Sequence, residues 1–324
     1  MPENRSTPQW PDFFAQGATP SAIEPDTVSQ IATQLSLNEP LAASLCQLYQ
    51  PLAAHCAAEV CDRSDSAYLV GVNGAQGTGK STAASILKRL LETGYGLKVC
   101  ALSIDDLYLS RAERNRLARE VHPLLATRGV PGTHNLPLAL DTFSQLNAAT
   151  PGLKTAIPRF DKSQDDCVPE AQWDGISGRP DVIIFEGWCV GARAQRVSDL
   201  SVPVNSLEVN EDPDGHWRRY VNDALTDYQA LFAQLDLLVM LKAPSFAQVL
   251  EWRQLQEQKL RDSLTPEQLK HSRVMSESDI ERFIAHYERL TRWMLSEMPA
   301  RADIVLALGA DHQVAQIHCH INQP

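Results

Sequence analysis

No stretch of the sequence stays apolar for the ~20 residues that a membrane-spanning helix requires, so no membrane partner is expected. The first residues include Pro2, Glu3 and Asp12, where a secretory signal would place positive charge and then an apolar run. Basic runs are missing as well. Lys and Arg number 29 against 40 Asp and Glu, a formal net charge of −11. Without a basic stripe the electrostatic footprint of a nucleic-acid binder is absent, and no nucleic-acid partner is expected. The seven cysteines are scattered and no CxxC pair occurs, which argues against a disulfide framework and for free thiols in a reducing, cytoplasmic setting. His318-Cys319-His320 has no second ligand cluster beside it, and three adjacent residues cannot all face one ion.

What is present is an ordinary globular balance, 44% apolar and 21% charged over 324 residues, enough to bury a large core without cross-links. Residues 1–26 are rich in proline and read as an extended leader, with Trp10, Phe13 and Phe14 as docking residues. Over 27–64, Val28, Ile31 and Leu35 and then, after Pro40, Leu41, Leu45, Leu48 and Leu52 recur at three- and four-residue spacing, which predicts amphipathic helices.

From residue 65 the pattern changes. Short β-rich runs at 68–72, 98–103, 181–185, 235–241 and 302–306 alternate with helical stretches, and each is nearly continuously apolar, as a strand covered on both faces must be. This predicts an α/β fold: a five-stranded, mainly parallel sheet flanked by helices, preceded by the N-terminal helical extension. Between the second and third runs, at about 106–180, lies an insertion rich in Pro, Gly, Arg and His. It is too long for an ordinary crossover and is the expected seat of substrate contacts. A mostly helical stretch at about 244–298, interrupted around Pro266, is the expected lid.

Gly74-Ala75-Gln76-Gly77-Thr78-Gly79-Lys80-Ser81 matches GxxxxGK[ST] between a predicted strand and a predicted helix. Glycines let such a loop turn its backbone N–H groups onto phosphate oxygens, and the helix behind it adds its positive end. ATP is the expected nucleotide. Lys80 is placed to reach the β- and γ-phosphates, Ser81 to hold Mg²⁺ and Thr82 to touch the α-phosphate. Glu186, closing the 181–185 strand, occupies the position of a carboxylate facing Mg²⁺ and its waters.

Asp105 and Asp106 follow the second strand, and ligands of open α/β sheets bind at the C-terminal ends of parallel strands. Phosphoryl transfer to a hydroxyl needs an acceptor that orients that hydroxyl. Asp105 is the candidate, with Asp106 as either a second candidate or a carboxylate stabilising the turn that begins there.

The loop GAQGTGKS, SIDDLYL at 103–109, RGVPGTHN at 128–135, PRFDKSQDD at 158–166 and FEGWCVG at 185–191 together resemble the plant-type and fungal D-glycerate 3-kinases. These are P-loop kinases related to uridine kinase, phosphoribulokinase and pantothenate kinase. The resemblance covers roughly residues 65–310. The loop and the Asp-x-x-Tyr segment, with Tyr108, are shared widely, whereas RGxPGTH, PRxDKS and EGWxxG are narrower. The resemblance implies an ATP- and Mg²⁺-dependent kinase acting on a small hydroxy acid, D-glycerate giving 3-phosphoglycerate. Arg128, His134, Arg159 and Lys162 supply cationic donors suited to a carboxylate. On the lid, Arg253 either neutralises the transferring phosphoryl group or pairs with Glu257 one turn on. Another acceptor of the nucleoside or pantothenate type, or a regulatory ATPase, would use the same phosphate machinery.

Overall fold

The computed structural model describes residues 8–11, 14, 22–63, 65–265 and 275–321. Within them run β1 (Tyr68–Gly74), β2 (Val99–Ser103), β3 (Lys154–Ala156), β4 (Phe160–Asp161), β5 (Asp166–Cys167), β6 (Gly175–Ser177), β7 (Val182–Gly187), β8 (Leu237–Lys242), β9 (Ile304–Leu308) and β10 (Val314–Cys319). The main sheet has the order β10-β9-β8-β1-β7-β2. β2, β7, β1, β8 and β9 are mutually parallel, and these are the five runs read from the sequence.

The central strands are apolar throughout because their two faces serve two cores. Val70, Val72, Val182, Ile184, Val239, Leu241 and Ile304 join one cluster, while Leu69, Ile183, Phe185, Leu238, Met240 and Val305 join another on the opposite face. The period of two along a strand sends alternate side chains to opposite sides. Ile184 is wholly buried, so Ile184→Ala would cost about 2–5 kcal/mol.

The sheet has six strands, not five. β10 runs antiparallel to β9 on the outer edge. Val314 is buried, but Ala315, Gln316 and His318 are exposed. Burial on a single face gives a strand no continuous apolar run, so the criterion that found the other five passes over it.

Asn38 caps the helix Glu39–Cys61 by accepting from the Leu41 amide at 2.9 Å, and Pro40 sits in the first turn, where a missing N–H costs nothing. This helix and Pro25–Leu35 pack their Ile31, Ala42, Cys46, Leu52 and Ala53 onto the face that also carries the helix Lys80–Tyr95. Trp10 donates to the Leu48 carbonyl at 2.8 Å, and Phe14 lies in the same core; Phe13 lies outside the described residues.

The insertion is built, not irregular. It holds the helices Arg111–Glu120 and Leu136–Ala148 and a two-stranded ribbon made of β3 with β6 and then β4 with β5. The ribbon tip is residues 162–165, with Asp165 in the left-handed region at φ 58°. In the lid region the helices Phe246–Ser263 and Glu277–Glu297 are described; Pro266 is outside the described residues.

Candidate active site

Three strand ends converge. β1 runs into the phosphate loop, β7 ends at Glu186-Gly187, and β2 leads through Ser103 to Asp105. Val72, Glu186 and Ser103 lie in register across the three neighbouring strands. This C-terminal edge opens into a cleft of about 580 Å³, the position expected for ligands of an open parallel sheet.

The loop has an inner and an outer side. Gly74, Ala75 and Thr78 are buried, and Thr78 Oγ1 donates to the Ala75 carbonyl at 2.8 Å, closing the turn from within. Gln76, Gly77, Gly79, Lys80, Ser81 and Thr82 face the cleft. Gly77 and Gly79 have φ of 81° and 83°, which L side chains adopt only with strain. Gly77 is constrained twice, since a Cβ there would stand 2.9 Å from the Cβ of Trp252. Trp252, on the helix Phe246–Ser263, donates to the Ala310 carbonyl at 3.0 Å and stacks on His312 with centroids 4.3 Å apart.

Ser81 Oγ donates to Glu186 Oε1 at 2.9 Å, while Oε2 of Glu186 is buried with no hydrogen-bond partner. A buried carboxylate oxygen without a partner is costly unless a ligand completes it. Two hard oxygen donors fit Mg²⁺, which takes one or two protein oxygens and fills its shell with phosphate oxygens and water.

Asp105 faces this phosphate side from β2. Its Oδ1 accepts from the Tyr108 hydroxyl and its Oδ2 from Lys162 Nζ, each at 2.7 Å. Burial raises its pKa, but the charges of Lys162 and Lys80 outweigh it and bring the carboxyl down to about 2. Asp106 lies in the first turn of the short 3-10 helix Ile104–Leu107, as the turn reading expects, and does not line the cleft. Ser103 Oγ receives the Asp105 amide at 3.2 Å, and Asp106 instead accepts from the Phe160 amide at 3.3 Å and from Arg159 at 3.4 Å. Burial raises the Asp106 pKa, opposed by Arg159.

The four basic residues expected around an anionic acceptor divide into two pairs. Arg128 and Lys162 line the cleft beside Asp105 and Tyr108. Arg159 is committed to Asp106 and to the Pro158 carbonyl, so it fastens the ribbon to the turn after β2. His134 is buried behind Tyr108, with ring centroids 4.7 Å apart. Tyr228 accepts from the Gly132 amide at 3.1 Å and its hydroxyl stands 2.6 Å from His134 Nδ1, while Nε2 of the ring is buried without a partner. Burial lowers the His134 pKa to about 4. It is a neutral ring at pH 7 and not the cationic donor expected of it.

The ribbon is positioned by Arg114, which lies in no motif, acting with residues that do. Arg114 is fully buried and holds the Leu109, Ala126 and Asp165 carbonyls at 3.2, 2.8 and 2.7 Å and the Asp165 carboxylate at 3.0 Å. Asp165 also receives Arg128. The ribbon tip is thereby pinned under the cleft. Gly129 has φ 130°, and a Cβ there would overlap the Tyr287 hydroxyl, which donates to the Arg128 carbonyl at 3.2 Å. Trp188, a cleft wall, donates to the Gly129 carbonyl at 2.8 Å.

On the helix Phe246–Ser263, Arg253 lines the cleft and pairs with Glu257 at 2.6 Å. Glu257 is buried and also accepts from the Met275 amide at 2.7 Å. No described helix is long and apolar enough to cross a membrane.

No protein-family model matches the chain. It is 34% identical over 230 residues to the uncharacterized kinase mug58 of Schizosaccharomyces pombe, covering 68% of this chain and 78% of that protein. It is 28% identical over 313 residues to the chloroplastic D-glycerate 3-kinase of Arabidopsis thaliana, covering 88% of this chain and 64% of the plant protein's length. The D-glycerate 3-kinase structure from Cryptococcus neoformans superposes with a TM-score of 0.66 at 21% identity, covering 85% of this chain and 98% of that one, a likeness of fold. A complete phosphate loop, the Ser81–Glu186 pair and these relatives agree: the chain belongs to the D-glycerate 3-kinase family of P-loop kinases.

Proposed function

We propose that the protein transfers the γ-phosphate of ATP to a hydroxyl of a small hydroxy acid, D-glycerate giving 3-phosphoglycerate, with Mg²⁺ as the metal. The observation that carries this reading is the juxtaposition of Asp105 with Lys162 and Arg128 in the cleft that also holds Lys80. A carboxylate to orient a hydroxyl and two cations to hold an acid group share one wall with a phosphate cradle.

In this reading the loop amides of 76–82 and Lys80 bind the β- and γ-phosphates, and Ser81 and Glu186 hold the metal. Mg²⁺, when bound, neutralises charge on the phosphate oxygens. Asp105 orients the acceptor hydroxyl toward the γ-phosphorus, Tyr108 fixes Asp105, and Arg128 receives the acceptor's carboxylate. Arg253, held at the cleft by Glu257, approaches the transferring group when the lid helix closes. The free cysteines fit a reducing compartment, and a cytoplasmic location is part of the proposal.

The experiment is ADP release from ATP and Mg²⁺ with a panel of acceptors: D-glycerate, L-glycerate, lactate, pantothenate, uridine and none. D-glycerate should stimulate most. Release indifferent to every hydroxy acid would rule the reading out, and stimulation by pantothenate or uridine alone would reassign the acceptor.

A further inference from the structure

The two hydrogen bonds to Asp105 are not equivalent. Oδ1 is held by Tyr108, a buried side chain stacked on His134 and set edge-on against Phe160. Oδ2 is held by Lys162, whose side chain is 60% exposed on the ribbon tip. Of the two oxygens, Oδ2 is the one whose partner is exposed and able to leave, and in the free enzyme Lys162 covers it.

We propose that Lys162 guards Asp105: the anionic group of a bound acceptor draws the ammonium off Oδ2 and so opens the base to the hydroxyl of that same acceptor. This deepens the acceptor reading above and rests on it. Arg128 and Lys162 then do different work. Arg128 is fixed by Asp165 and lies over the Phe160 ring, a stationary charge. The Lys162 ion pair with Asp105 is its only one among the described residues, and its flexible four-carbon stem is mostly exposed. The acceptor's carboxylate adds a second anion in the cleft that is absent from the free enzyme, so only acceptor binding supplies a counter-charge able to draw the lysine from Oδ2.

The electrostatics run in the same direction. Burial raises the Asp105 pKa, and Lys162 is the first of the charges that reverse it. Withdrawing Lys162 therefore makes Oδ2 a stronger proton acceptor. As the acceptor oxygen bonds to the γ-phosphorus, its O–H bond breaks and the proton passes to Oδ2. The bond from phosphorus to the β–γ bridging oxygen breaks, its electron pair leaves with ADP, and Oδ2 later returns its proton to solvent.

The guard is tested first without any acceptor, by ATP hydrolysis in Mg²⁺. Lys162→Met should uncover Oδ2 for water and raise ADP release about fivefold over wild type, and Asp105→Asn added to it should abolish the gain. Hydrolysis by Lys162→Met equal to or below wild type overturns the guard whatever the acceptor. The second arm compares D-glycerate with uncharged glycerol. Lys162→Met should lose about 100-fold in kcat/KM on glycerate while its kcat on glycerol rises; an equal loss on both acceptors overturns the proposal. A wild type inactive toward D-glycerate, combined with elevated hydrolysis in Lys162→Met, would refute the acceptor assignment and leave the guard standing.

Discussion

Ser81 opens a helix and Glu186 closes a strand 105 residues later, yet the serine hydroxyl donates to Oε1 of the glutamate at 2.9 Å. The partnerless Oε2 beside this contact is the atom that the proposed Mg²⁺ would complete. Glu186→Gln keeps the shape and removes the charge. We expect Mg²⁺ half-saturation of activity to rise about 10- to 100-fold, with partial recovery at high Mg²⁺. An unshifted Mg²⁺ titration would remove Glu186 from the metal site.

Asp105→Asn should lower kcat about 10²- to 10⁴-fold while leaving ATP affinity close to wild type, since Asp105 touches the acceptor side. Equilibrium binding of a fluorescent ATP analogue beside steady-state kinetics separates the two.

The pKa of Asp105, at about 2, lies below the unfolded carboxylate value of roughly 3.9. The stability from its ionised form is therefore complete above about pH 4 and disappears as pH falls toward 2. Because kcat/KM reports the free enzyme, its profile should show no Asp105 limb between about pH 5 and 8. A limb in that window that is missing from the nucleotide-only binding profile would contradict this assignment.

His134 works with the opposite charge type. Its folded pKa, about 4, lies below the unfolded value of roughly 6.5, so between these the unfolded chain binds the extra proton. Stability should fall as pH drops through that interval, by up to about 1.4 kcal/mol per pH unit from this one group. His134→Phe retains a ring against Tyr108, and its urea midpoint should fall less steeply from pH 6.5 to 4 than that of wild type. Parallel profiles would show that another group sets the slope.

Arg114→Met leaves the Asp165 carboxylate and three carbonyls without their buried partner, a loss of about 3–5 kcal/mol. Urea unfolding measures it. Under conditions where the variant remains folded, KM for the acceptor should rise while ATP affinity holds, because Arg114 anchors the ribbon and not the phosphate loop. Equal losses on both substrates would mean that the ribbon also supports the nucleotide.

The phosphate loop was legible because its chemistry is local: glycine positions, Lys80 and Ser81 are adjacent in sequence, and a strand and a helix flank them. The parallel strands were legible because burial on both faces leaves an apolar run. The roles of His134 and Arg159 were not. Both lie in motifs and both carry basic side chains, but Tyr228 and Asp106, which decide what they do, come from other parts of the chain. Arg114 was hidden for a different reason. It sits in the strongly polar helix Arg111–Glu120, where every arginine reads as solvated, and only tertiary packing distinguishes the one that is buried.

The ribbon, its pinning arginines and Asp105's partners Tyr108 and Lys162 all come from one continuous stretch between β2 and β7. The phosphate loop, Glu186 and the lid lie outside it. The residues proposed for the acceptor side therefore lie in one continuous segment, braced from outside by Trp188, Tyr228 and Tyr287. Exchange of that segment between relatives would therefore have to carry those three braces with it to keep the ribbon in place on an unchanged phosphate loop.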